Sequence, residues 1–214
     1  MTAPAIQKET LLAHLDGTKY FFIHHLANSD LGQLLSPLTF APFNHPTYGR
    51  FKSVLGFTYW LQCGKSKDHD YLRETYGTHA IRVGTKAKSE HGRFISSKET
   101  LREMVYAALL KIDEYTKNNQ DLTVTIKHQM AGNILPYVHV RSIRNTDMGS
   151  LYGKTKLARV RKLPEYNRLG EIYSAIGKIY KTTTGRSYSP ENIMAILETD
   201  GAFNQLSNPE LVIG

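Results

Sequence analysis

Cysteine occurs once in the 214 residues, at Cys63. No internal disulfide can form and no cysteine-based metal site can be built, so stability has to come from packing. No segment approaches the roughly 20 consecutive apolar residues that a membrane-crossing helix needs. The opening MTAPAIQKETLLAHLDG lacks the basic start and apolar stretch of a signal peptide, which places the expected site of action inside the cell, in the cytoplasm, with no membrane partner. Also missing are the G-x-x-x-x-G-K-[ST] phosphate loop, a dinucleotide fingerprint after a strand, H-E-x-x-H and G-x-S-x-G, which argues against the standard nucleotide hydrolases and zinc proteases. No metal and no cofactor is expected. His24 and His25 are adjacent on a predicted strand, where their rings would point to opposite faces. His45, His69, His79 and His91 fall near loops or helix ends, where a solvated ring is expected.

What is present is an ordinary globular composition, 41% hydrophobic and 21% charged, with a net charge of +8. The length suits one core with an appendage rather than two equal domains. The charge is uneven. Between Arg141 and Arg168 lie eight Lys or Arg against two acids, Asp147 and Glu165, so this one stretch supplies +6 of the +8. Such an excess either attracts a polyanion or forms a solvated face without a partner.

Periodicity places the elements. KYFFIHH, residues 19–25, predicts a short strand, and LSPLTFAPFNHPTYGR, with three prolines and Gly49, predicts a long irregular loop. From Phe51 an i, i+3, i+4 pattern predicts a helix to about Gln62, stopped by Gly64; a shorter helix is expected from Asp68 to Gly77. Ser96 and Glu99 have capping-box spacing ahead of a stripe from Leu101 to Tyr115, which predicts a long helix. DLTVTIKHQ alternates as a strand does, and LPYVHVRSI reads as a short β run. The stripe from Leu169 to Tyr180 predicts a further helix. Ser189 and Pro190 open a last one, which Gly201 ends. The expectation is an α+β fold, a single compact, mainly helical domain with a small β-sheet.

Three segments in order, LGQLLSPLTF (31–40), FKSVLGFTYWL (51–61) and AIRVG (80–84), resemble the NADAR family, named for its association with NAD and ADP-ribose. There an L-S-N-F-x-P-S-P-F segment leads to Y-x-S-V-E-H/G, an aromatic-rich helix and A-x-x-x-G. LPYVHV (135–140) is similar to a segment of phage-encoded relatives, for which the host cytoplasm would be the place of action. The resemblance covers about residues 19–145. It implies a NADAR-like core over 1–150, with the basic segment and C-terminal helices of 151–214 packed on it. It implies an ADP-ribose-like ligand and cleavage of the bond between ribose and a base nitrogen. That reaction makes the sugar oxocarbenium-like, so a carboxylate is wanted beside the anomeric carbon. Leu55 stands where the family carries Glu, and Gln33 where it carries Asn. A substitute carboxylate could come from Asp68, Asp70, Glu74 or Asp147; otherwise the fold serves binding alone, and the catalytic residues are left unassigned.

Phe57, Tyr59 and Trp60 then read in two ways, as core or as a pocket wall. On the second reading Tyr59 or Trp60 stacks on a base, Ser53, Gln62 and Gln33 supply polar contacts, and Leu55, His139 and Asp147 line the ligand site. A different class of function is nucleic-acid binding, to DNA or RNA, by phosphate contacts from Lys154, Lys156, Arg159, Arg161 and Lys162 with Tyr152 stacking on an unpaired base. The same basic face would equally fit an acidic host protein.

Overall fold

The computed structural model describes residues 21–25, 27, 29–118, 120–133, 137–139, 168–182 and 189–203. The chain is mainly helical with short strands, the α+β class its periodicities predict. It divides into two units, one of residues 1–36 and 125–182 and the other of 37–124 and 183–214. The expected boundary near residue 150 lies outside the described residues.

In the first unit, strand β1 (Phe21–Ile23) pairs in parallel with β4 (Tyr137–His139), Phe21 opposite Tyr137 and Ile23 opposite His139. Helix α1 (Asp30–Leu35) follows β1. Its N-cap is Ser29, whose hydroxyl accepts from the Gly32 N–H. Helix α5 (Gln120–Gly132), which begins in the second unit, and helix α6 (Arg168–Thr182) complete the layer, with Ile126, Met130, Leu169, Ile172, Tyr173 and Ile176 buried. Each such aliphatic side chain contributes about 1.5–3 kcal/mol on leaving water. Tyr173 spans this core and donates to the Leu35 carbonyl at 2.9 Å. Gly177 lets α6 approach α5, since a Cβ there would sit 2.6 Å from the Met130 carbonyl.

The second unit holds a hairpin of β2 (Phe43–His45) and β3 (Gly49–Phe51), with Phe43 opposite Phe51. Helix α2 (Val54–Gln62) follows, then a 3₁₀ helix (Asp70–Glu74), α3 (Gly77–His91), α4 (Ser97–Asn118) and α7 (Pro190–Thr199). Helix α2 packs on α3, on α4 and on the 3₁₀ helix, while α4 also carries β2 and α7. Ser96 and Ser189 cap α4 and α7 as expected, accepting from the Glu99 and Asn192 N–H groups. Gly201, at φ 71°, ends α7.

Four expectations are corrected. DLTVTIKHQ lies in α5, not in a strand, because Ile126 and Met130, one helical turn apart, form its buried face. The predicted loop contains the end of α1 and the hairpin: Pro46 and Gly49, at φ 80°, turn the chain while Phe43 and Phe51 bury their rings together. Gly77, expected to stop a helix, starts α3 instead, and only a 3₁₀ turn precedes it. His24 and His25 follow β1 rather than lie within it, and their rings are in contact, with centroids 4.1 Å apart.

Candidate functional site

The features with chemical potential lie in the second unit, on a run of rings that begins with β2. Alternation along the strand turns Phe43 and His45 inward and Asn44 outward. His45 is therefore buried, not solvated as its loop position suggested. Its Nδ1 accepts from the Thr47 and Tyr48 N–H groups at 3.2 and 3.3 Å, so the ring proton is assigned to Nε2. Nε2 lies 3.3 Å from Glu103 Oε2, an off-axis contact of its N–H with the carboxylate. His45 and then Arg102 hold the Glu103 carboxyl below the usual carboxylate range, against the opposing effect of burial. Arg102 bridges Glu103 and Glu198 at 2.6 and 2.5 Å. Tyr106, edge-on to His45, donates to Glu191 at 2.7 Å. Burial, followed by that carboxylate, pushes its phenol up to about 12. Two polar links thus join α4 to α7.

From His45 the rings continue through Tyr48, at 4.6 Å, to Trp60, at 5.2 Å from Tyr48. Phe57 and Phe51 pack behind them. His69 stacks on Trp60 at 4.6 Å, and burial lowers its affinity for a proton. The Arg73 guanidinium sits 4.6 Å from the ring centroids of both Phe51 and Trp60, a cation–π arrangement, and donates from Nη1 to the Tyr48 carbonyl. Asp70 is only a loose partner, 3.7 Å from Nε. Trp60 Nε1 is buried and has no hydrogen-bond partner among the described residues.

The expected site residues fall as follows. Tyr59 lies against Gly84, where a Cβ would overlap its ring, and its hydroxyl meets Thr85 Oγ1 at 3.2 Å. Trp60 belongs to the His69–Arg73 cluster. Ser53 caps α2, accepting from the Gly56 N–H and donating to the Thr75 carbonyl, so its hydroxyl is engaged within the fold. Leu55 is buried in the first turn of α2. Beside it Gly56 permits close approach of the 3₁₀ helix, since a Cβ would stand 2.6 Å from the Leu72 carbonyl. Gln62 is half-buried and its carbonyl accepts from the Arg93 N–H. Gln33, in the first unit, is exposed and donates to the Ala27 carbonyl. His139 stands opposite Ile23 in the β1–β4 pair. Asp147, Tyr152, Lys154, Lys156, Arg159, Arg161 and Lys162 lie outside the described residues.

Of the candidate carboxylates, Asp70 leans on Arg73, and Glu74 pairs with Lys52 at 2.6 Å. Glu103 escaped sequence reasoning because its partners, His45 and Glu198-bound Arg102, carry no local pattern. Among the described residues no group of three or more His, Cys, Asp and Glu could hold a metal ion, and no helix is long and apolar enough to cross a membrane. Comparisons with protein-family models, curated proteins and solved structures give no match.

Proposed function

We propose that the protein recognises ADP-ribose or a related nucleotide, free or carried on a nucleic-acid base, at the Trp60–His69–Arg73 cluster. The observation that carries this reading is the buried Trp60 Nε1–H, without an acceptor among the described residues, beside a guanidinium held in place by two rings. A buried donor without an acceptor costs about 1–3 kcal/mol, and a ligand oxygen that accepts from it recovers that loss. Arg73 adds positive charge on a pre-organised fork, suited to a phosphate oxygen. The cluster lies at the end of the segment with the family resemblance, which supports the same class of ligand. Recognition is favoured over turnover because Leu55, buried and apolar, can neither take a proton nor stabilise a cation. Any hydrolysis would draw on Glu103, the half-buried carboxylate of the same run of rings.

The test is calorimetric titration with ADP-ribose of the parent protein, Trp60→Phe and Arg73→Gln. Trp60→Phe keeps an aromatic ring but removes the donor together with the fused five-membered ring, so it should weaken binding by about 1 kcal/mol or more, with circular dichroism as the control for folding. Arg73→Gln should weaken binding by about 1.5–3 kcal/mol. Parent-like affinity in both variants would show that the cluster is not the ligand site.

A further inference from the structure

Around the start of α3 the second unit exposes rings that its core does not use. Among the described residues five large hydrophobic side chains are exposed, and four of them, Phe40 (53%), Tyr71 (50%), Tyr76 (48%) and Ile81 (41%), fall here. Phe40 and Tyr76 meet edge to face at 5.0 Å, anchored by the Gly77 N–H donating to the Leu38 carbonyl. Tyr71 meets His79 at right angles, with its hydroxyl 2.9 Å from Nε2. Arg82 Nη2 lies 3.1 Å from His79 Nδ1. Arginine can only donate, so Nδ1 accepts, Nε2–H donates to the Tyr71 oxygen, and the Tyr71 hydroxyl proton is left to point outward. These exposed rings are thereby held in fixed positions, which lowers the entropy lost on contact with a partner.

The charge around them is positive. Arg82 and Lys86, one turn apart on α3, have no ion pair among the described residues. Of the acids nearby, Glu74 pairs with Lys52 at 2.6 Å, Asp70 leans loosely on Arg73, and Glu90 faces His91. Exposed rings beside Arg82 and Lys86 match the two demands of an unpaired nucleic-acid strand: faces for bases to stack on and charge for phosphates. We propose that Phe40, Tyr71, Tyr76 and Arg82 form a binding platform for single-stranded nucleic acid. It does not depend on the nucleotide site at Trp60, nor on the basic stretch after Arg141.

Fluorescence anisotropy tests the platform with labelled single-stranded DNA and RNA of about 16 nucleotides, the upper end of common single-strand site sizes, and with a duplex of the same sequence. The proteins compared are the parent, the double variant Tyr71→Ala/Tyr76→Ala, and Arg82→Glu. Circular dichroism and ADP-ribose titration serve as controls for folding and for the other site. The platform predicts that the parent binds a single strand of DNA or RNA more tightly than the duplex. The double variant should lose about tenfold or more in affinity, as stacked bases do when the ring is removed, and Arg82→Glu a comparable amount, with ADP-ribose binding unchanged. Three results would overturn it: no strand binding by the parent, duplex binding as tight as single-strand binding, or a change of less than about twofold in the double variant. The last is the outcome expected if the rings contact a protein instead.

Discussion

Two side chains show how burial and close partners set chemistry one residue at a time. Lys111 is buried in α4, and burial lowers its ammonium to about 7. In the unfolded chain it titrates near 10.4, so between these values the unfolded state holds more protons and stability rises with pH across that window. Lys111→Met removes this rise. Denaturant unfolding at about pH 6 and about pH 9 should show the parent gaining roughly 2–3 kcal/mol over the variant between the two; equal gains would mean that Lys111 titrates normally. Glu103 works in the opposite sense. Its carboxyl is held low by His45 and Arg102, so it stabilises the fold above the ordinary carboxylate range, and the contribution disappears as pH falls through its lowered value. Glu103→Gln should therefore destabilise the protein by about 1–2 kcal/mol at neutral pH, and the difference from the parent should shrink in acid. A pH-independent difference would point to lost packing alone.

Among the elements, α2 is the hub, and the glycines beneath it explain motif positions by packing. Gly84 of the AIRVG segment is needed because the Tyr59 ring occupies the space of its Cβ. Gly84→Ala should lower stability by about 1–3 kcal/mol, and adding Tyr59→Ala should recover part of that loss. Additive losses in a thermal-unfolding cycle would contradict the contact. Helices α4, α6 and α7 were legible in the sequence because caps and apolar stripes are local signals: Ser96, Ser189 and the Leu169–Tyr180 stripe each act within a turn or two. Helix α5 was not, because the β-branched alternation of DLTVTI imitates a strand, and only tertiary burial of Ile126 and Met130 decides otherwise. The β2–β3 hairpin was hidden for another reason. Its strands are three residues long, and the Pro and Gly that form the turn also read as loop.

For the whole molecule, the mainly helical α+β class followed from composition and periodicity, but the candidate site followed only in part. Trp60 drew attention as the sole tryptophan in an aromatic helix. Its orphaned Nε1, the His69 stack and the Arg73 cation depend on contacts between α2, the hairpin and the 3₁₀ helix, for which the sequence holds no local pattern. The buried His45–Glu103 pair, drawn from β2 and α4, was invisible for the same reason. The sole tryptophan also supplies the most direct test, since its emission reports on the cluster itself. Titration of the parent protein with ADP-ribose at low and moderate salt, following Trp60 fluorescence, should give a saturable change that persists as salt rises, because contacts at a partly buried site are screened less than those at the surface. An emission unmoved by ADP-ribose, or moved only by an oligonucleotide and restored by salt, would contradict a nucleotide site at Trp60.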